Sequence, residues 1–514
     1  MKIVSTAEMR TLEAAAIAGG LSGHDLMGRA GQASAHEILR IAGAFPARHR
    51  RRFVVLAGKG NNGGDGWVVA RCLHEAGERV AVCSVCKLDL LGDDARLHAQ
   101  RLAVYCPVHI VPDGVLPPGL LVEGDVIVDA LLGIGAKGAP TGAVRELIAA
   151  ASASGLPVFA LDVPSGLDAD TGRGEGALHA HWTLAAGLPK AGLFLADGPA
   201  LCGTLRVVPI GLTPAQEGAV AGGRMEAFAR RDALGLAAPR PIDGHKNTFG
   251  HTLCLCNSAD YTGAGDLCAT AALRIGSGLV TLMMPGGVTG RREGLSALIQ
   301  HRIGDQDAKH FARWMCGIID SYIQQRATAI VYGPGTSSSA DIDVLSSVVR
   351  SGRPVVVDAD GLRLLAAHPD TLDGASSAVV LTPHPGEMRA LLQGFGLGAQ
   401  QEAPRAEQAE ALAERAACTV VLKGRHTLVA MPGGRLSVNT SGDVSLATAG
   451  SGDVLAGAIG GLLATGMAPW DAARLGVYLH GLAAELRRTA SRSLVADDLP
   501  LLLSDAWADL SPLL

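Results

Sequence analysis

Seven times along this chain a short apolar run stops at a turn of glycine, proline or acidic residues, and helix-forming sequence follows. In the first half the runs are 52–57 before GKGNNGGDG, 126–128 before Asp129, and Val158–Leu161 before Asp162. In the second they are Ala329–Tyr332 before GPGTSSS, 354–357 before DADGL, 378–381 before TPHPGE, and Thr419–Leu422 before KGRHT. A strand covered by helices on both faces has no polar side, so it reads as an unbroken apolar run, and a parallel sheet needs such strands. Between the two series, residues 211–244 loosen into glycine, proline and an Arg-Arg pair, composition that marks a joint. Two three-layer α/β/α domains are expected, over 1–220 and 241–514, with a linker at 221–240. The 514 residues fit a length prior of roughly two to four domains.

Composition excludes several classes. Hydrophobic residues at 48% against 18% charged allow large cores and argue against wholesale disorder. A net charge of −5 gives no general nucleic-acid surface. The ten cysteines are scattered; Cys83, Cys86, Cys254 and Cys256 fall in strand-like runs without a second ligand pair. They read as core thiols of a cytoplasmic protein rather than zinc or redox chemistry. The start, with Ser5 and Glu8 as a capping box over helix 5–17, is no signal peptide. No uncharged apolar run reaches the ~18 residues of a membrane span.

The stretch 438–467 reads as a strand whose end feeds Gly450, Ser451 and Gly452 into a helix of small residues bearing Asp453 on its first turn. Free N–H groups and the positive dipole end there suit phosphate. A carboxylate beside such an anion hole takes a proton from a hydroxyl while phosphate charge is stabilised nearby. The competing interpretation is a helix-capping aspartate.

In the first half, Gly58, Gly60 and Gly63 form G-x-G-x-x-G between strand and helix, the setting of a dinucleotide turn. A dehydrogenase also needs an acid closing the second strand, and Asp89 comes only after Lys87 and Leu88. GNNGGDG, VDALLGIG and LDVPSGLDADTG, in that order, resemble the YjeF N-terminal domain, the NAD(P)H-hydrate epimerase, across the whole first half. The resemblance implies a Rossmann-like fold. In it Asn61, Asn62, Gly63, Gly64 and Asp65 contact a hydrated nicotinamide nucleotide, together with Gly133, Ile134, Gly135, Ala136, Lys137, Gly138 and Ala139. Asn62, Asp129 and Ser165 would supply oxygens to a potassium ion, and Asp162 would face the substrate and exchange its proton. Lys190, in LPKAGL, fits the family's lysine and equally an exposed loop charge; Gly28 stands where the family usually has an acid.

In the second half, GPG, DADGL, TPHPGE, VLKG, NTSG and AGSGDVLAG resemble the ribokinase-like superfamily. HK at 245–246, YTGA at 261–264 and LATAGSGDVLAG are more narrowly similar to the ADP/ATP-dependent NAD(P)H-hydrate dehydratase. That resemblance implies Asp453 as the base, with Gly450, Ser451 and Gly452 at the anion hole. Lys423, Gly424, Arg425, His426, Thr427 and Gly452 would bind the adenine nucleotide, and Ala264, Gly335 and His384 the hydrate. His384 could equally be a turn residue between two prolines. Glu387 acts through magnesium or is a helix-start acid; Asn439 and Thr440 orient phosphates or close a hairpin. Three loops depart from the family: Asn247 replaces a glycine, Cys256, Asn257 and Ser258 replace Gly-Gly-Ser, and GPGLG reads GPGTSSS.

The expected function is repair of hydrated NADH and NADPH (NADHX and NADPHX). The first domain interconverts R and S epimers. The second phosphorylates the S epimer's hydroxyl from ADP or ATP and eliminates phosphate. Potassium and magnesium are the expected ions, the assembly a cytoplasmic homo-oligomer, and neither nucleic acid nor membrane a partner. The alternative is a ribokinase-like small-molecule kinase carrying a non-catalytic N-terminal ligand-binding module.

Overall fold

The computed structural model describes residues 1–43, 52–220, 225–237, 239–285, 296–303, 317, 321–337, 340–375, 378–487 and 491–510. The chain divides between Ala227 and Phe228 into two compact units.

The first unit contains β1 (Phe53–Ala57), β2 (Val80–Ser84), β3 (Val108–Ile110), β4 (Val126–Ala130), β5 (Val158–Leu161), β6 (Trp182–Ala186) and β7 (Thr204–Val208). They lie side by side as β3-β2-β1-β4-β5-β6-β7, every pairing parallel. Strand alternation sends Phe53, Val55 and Ala57 into one helix layer and Val54 and Leu56 into the other, which is why the run shows no polar face. Strand order reverses between β1 and β4. Ligands of open parallel sheets bind outside the carboxyl ends at such a switch point, where GKGNNGGDG and Asp129 emerge.

The second sheet runs β11-β10-β9-β12-β13-β14-β15-β16-β17-β8. Its strands are β8 (Met225–Phe228), β9 (His251–Leu255), β10 (Leu279–Pro285), β11 (Ile299–Ile303), β12 (Ala329–Tyr332), β13 (Val355–Val357), β14 (Val379–Leu381), β15 (Thr419–Leu422), β16 (Leu428–Met431) and β17 (Arg435–Asn439). Pairing is parallel from β11 to β15 and antiparallel from β15 to β17. The order again reverses, between β9 and β12. Helix Ser451–Ala464 buries Val454, Ile459 and Leu463 with Val331 and Cys254 of the sheet.

Three expectations shift. The segment read as a linker holds β8 and the helix Arg230–Leu236, and Phe228 and Ala233 join the second core; residues 221–224 and 238 of it lie outside the described residues. The helix after β1 starts at Asn61, so that Gly63 lies inside it rather than between strand and helix, because those glycines pack closely instead of looping out. The strand before the 450s ends at Asn439 and the helix begins at Ser451. The loop between them docks through Ser441 Oγ, which donates to the Tyr478 carbonyl at 2.7 Å.

The nine described cysteines are free. No helix among the described residues is long and apolar enough to cross a membrane.

Candidate active sites

In the first unit the glycine turn exists because backbone meets backbone. A Cβ on Gly58 would lie 1.9 Å from the Leu131 carbonyl oxygen, and one on Gly63 1.9 Å from that of Gly58. Only glycine permits this approach, and it draws the ends of β1 and β4 together. Asn62 then points inward: its Nδ2 donates to the Leu132 carbonyl at 2.8 Å, while its buried Oδ1 has no partner among the described residues. Asp129 is fully buried. Its Oδ1 accepts from Ser165 Oγ at 2.6 Å and its Oδ2 from the Ser165 N–H at 2.8 Å. Ser165 Oγ in turn accepts from the Leu132 N–H at 2.8 Å. Asn62, Asp129 and Ser165 are therefore brought together around Leu132. Burial lifts the Asp129 carboxyl to about 6, against the pull of its hydrogen bonds.

Asp162 sits one strand over with φ 65°, a conformation that costs a non-glycine residue of order 1–3 kcal/mol and clusters at functional positions. Its Oδ1 accepts from Lys190 Nζ at 2.5 Å and from the Ala186 N–H at 3.3 Å. The Lys190 side chain is 1% exposed and also donates to the Ala186 carbonyl at 2.8 Å. It is a buried partner of Asp162, not an exposed loop charge. Asp65 joins this group: burial holds its carboxyl well above the usual range, with the negative charges of Asp162 and Glu13 adding and Lys190 opposing. The 133–139 loop is pinned by Lys137, whose Nζ lies 3.0 Å from Asp168 and 3.1 Å from Asp170. Glu13, on the N-terminal helix, escaped the sequence reading; no local motif distinguishes it from an ordinary surface acid.

The second unit gathers charge at the start of helix Ser451–Ala464. Gly450, at φ 89°, is its N-cap, and no side chain caps it, so Asp453 is not the capping residue of the competing interpretation. Burial pushes the Asp453 carboxyl up to about 7; Asp358, Asp360 and Glu387 add to the rise and Lys423 opposes it. Lys423 Nζ donates to Asp358 Oδ1 at 2.8 Å and lies 3.8 Å from Glu387 Oε2. A Cβ on Gly452 would sit 3.3 Å from Lys423 Nζ and 3.8 Å from Asp358 Oδ2. The glycine turn, lysine and acids thus share one spot. Asp358 was missed as a site residue, although it closes β13 as Asp129 closes β4.

The nucleotide-loop candidates are shaped by a residue that sequence gave no reason to choose. Arg405, eighteen positions before Lys423 along the chain, donates to the carbonyls of Leu422, Lys423 and Arg425. Gly424 and His426 take φ 139° and 48° in that loop, and Thr427 Oγ1 closes it on the Gly424 carbonyl at 2.9 Å. Burial depresses His426 to about 4, keeping it neutral. Ala264 and Gly335 meet: a Cβ on Gly335 would lie 2.8 Å from that of Ala264. His384 plays its turn role, Nδ1 accepting from the Gly386 and Glu387 N–H groups at 2.9 and 3.2 Å, while its ring stays half exposed. Glu387 reciprocates, accepting from the His384 N–H at 2.8 Å. Asn439 and Thr440 are engaged by the Ser441 and Phe228 carbonyls, which favours the hairpin-closing role.

One departure from the expected loops is explained. Asn257 holds φ 73°, which asparagine tolerates far better than most residues. Its Oδ1 accepts from the Gly265 N–H at 2.6 Å, so it anchors the start of helix Ala264–Ile275 in place of a glycine turn.

The chain matches the family described as NAD(P)H-hydrate dehydratase over residues 252–506 and the YjeF-related protein N-terminus over residues 23–192. It is 36% identical to the bifunctional NAD(P)H-hydrate repair enzyme of Moorella thermoacetica, across 87% of this chain and 86% of that protein. It is 35% identical to the enzyme of the same name from Coxiella burnetii, across 96% of each. Among solved structures, the ADP/ATP-dependent NAD(P)H-hydrate dehydratase of Bacillus subtilis, co-crystallised with ATP and magnesium, is 27% identical. It superposes with a TM-score of 0.46 on 56% of this chain and 99% of its own.

Proposed function

The chain belongs to the family of bifunctional NAD(P)H-hydrate repair enzymes, and from that premise we propose how its two sites divide the work. The protein epimerises hydrated NADH and NADPH and dehydrates the S epimer back to NAD(P)H at the expense of an adenine nucleotide. Epimerisation belongs to the first unit and dehydration to the second.

In the first unit, Asp162 handles the substrate proton, steered by Lys190, and the 61–65 and 133–139 segments hold the nucleotide. The orphaned Asn62 Oδ1 and the buried Asp129 carboxyl fit a monovalent cation. Asn62, Asp129 and Ser165 would hold potassium there, supplying positive charge beside the substrate loops.

In the second unit, Asp453 removes the proton of the substrate hydroxyl. The N–H groups of the Gly450–Gly452 turn and Lys423 stabilise the transferred phosphoryl group, which then leaves as phosphate, a far better leaving group than hydroxide. Among the described residues no three acids or imidazoles are grouped to hold a metal by themselves, so a magnesium ion would be carried on the nucleotide's phosphates, with single acids of the protein adding to its oxygen donors. Glu387 would hold the ion directly or through water. Lys423, Gly424, Arg425, His426 and Thr427 cradle the nucleotide, and Ala264, Gly335 and His384 border the hydrate. A reducing, potassium-rich cytoplasm suits both the free thiols and the cation site.

The observation that carries this assignment is the Asp453 carboxyl, raised to about 7 beside the glycine turn and the half-buried Lys423. Incubating hydrated NADH with the protein and ADP or ATP tests it. Reduced-nicotinamide absorbance returns only with nucleotide; no return with either nucleotide refutes the function.

A further inference from the structure

The N-terminal helix Thr6–Ala18 brings a charged face to the epimerase site. Its apolar side, Met9, Leu12 and Ala16, packs with Leu188 and Ile210, and Ile134 of the substrate loop leans on the same cluster. Thr6 ties it down, donating from N–H and Oγ1 to Asp170 at 2.6 and 2.7 Å. Val4 N–H donates to the Pro189 carbonyl and Ala191 N–H to the Val4 carbonyl, both at 3.0 Å, bracketing Lys190. Arg10 and Glu13 lie one turn apart and share a face. That face turns to the substrate loop, since a Cβ on Gly135 would sit 3.5 Å from Arg10 Nη2. Glu13 is half-buried, within electrostatic reach of Lys190, Asp162 and Asp65. Among the described residues its carboxyl makes no hydrogen bond or ion pair.

We propose that Glu13 is the second catalytic carboxyl of the epimerase site, the proton donor working opposite Asp162; this rests on the epimerase function assigned above. Hydration of an enamine puts the hydroxyl on the carbon bonded to the ring nitrogen. Glu13 gives that hydroxyl a proton, the C–O bond breaks with its electrons going to oxygen, and water departs as the nitrogen lone pair forms C=N⁺. Water then adds to the opposite face, its oxygen forming the new C–O bond, its proton going to the Asp162 carboxylate and the C=N⁺ electrons returning to nitrogen. Glu13 ends as carboxylate and Asp162 as acid, and proton exchange with solvent resets both. Such a division needs two carboxyls in unlike environments. Asp162 is ion-paired, whereas burial holds Glu13 above the usual range, Lys190 opposing, the Asp162 charge adding and Arg10 opposing.

The test follows one purified epimer, without nucleotide, in full-length Glu13→Gln, and follows dehydration of the S epimer with nucleotide in the same preparation. A lost general acid lowers epimerisation kcat by about 10²–10⁴-fold. KM, dehydration and thermal midpoint stay at wild-type values, and Glu13→Asp recovers part of the rate. Wild-type kcat in Glu13→Gln overturns the proposal, as does a raised KM with kcat kept. Loss of the folded state in both variants also overturns it, because the residue is then structural. Failure of the wild type itself to convert the epimer sinks the epimerase assignment and this proposal together.

Discussion

Replacing Asp453 with asparagine separates a catalytic carboxylate from a structural one, because the two roles predict opposite signs for stability. Folding raises this carboxyl from 3.8 to about 7, a rise of about three units, which corresponds to at most about 4 kcal/mol. Water penetration and relaxation reduce that to about 1–2 kcal/mol in a partly accessible site. A group whose folded value is raised contributes its full stabilisation below the unfolded value and loses it as pH climbs through the folded value. Asp453→Asn should therefore match the wild type near pH 4 and melt higher above pH 7, by about 2–8 °C. Dehydration should fall about 10²–10⁴-fold, the usual worth of a general base, while epimerisation is kept. Calorimetry at pH 4 and 8, with both activities read on one preparation, supplies the numbers. A variant that melts lower at pH 8, or dehydrates at the wild-type rate, refutes the reasoning.

Wild-type dehydration should rise about fivefold between pH 6 and pH 7 as Asp453 ionises, and Asp358→Asn should move that limb to lower pH by removing a neighbouring negative charge; an unmoved limb contradicts the coupling. Asp162→Ala should abolish epimerisation alone and cost about 3–5 kcal/mol by leaving Lys190 a buried unpaired cation, which urea titration measures. Arg405→Ala should raise the nucleotide KM at least about tenfold with kcat little changed, since it removes the support of three loop carbonyls. Asn257→Leu should destabilise the second unit by about 2–4 kcal/mol through lost capping and a positive φ.

Much of this was legible in the residues. Apolar runs closing on glycine and acid gave the parallel sheets; Asp129 and Asp162, at strand ends, pointed to the candidate site of the first unit, and the Gly450–Asp453 helix start to that of the second, while Asp358, which also follows a strand, went unnoticed. What stayed hidden depended on distance along the chain. Lys190 could be told from a loop lysine only once Asp162 stood beside it, Arg405 reaches its carbonyls from well upstream, and the charges around Glu13 come from distant parts of the chain. The 221–240 segment misled because one short strand and a two-turn helix, broken by glycine and proline, carry too little periodicity to outweigh their composition. Asn257 departed from the family's glycine, and only its backbone conformation reveals why the fold accepts it.

The central claim is two carboxylates in two units acting in sequence on one damaged cofactor. Pure R epimer of hydrated NADH, given to the full chain with adenine nucleotide, tests it most directly. Absorbance should return completely with one phosphate released per molecule repaired; in Asp453→Asn the sample should become a mixture of epimers and stop there. Recovery without nucleotide, or an R epimer left unchanged by that variant, would contradict it.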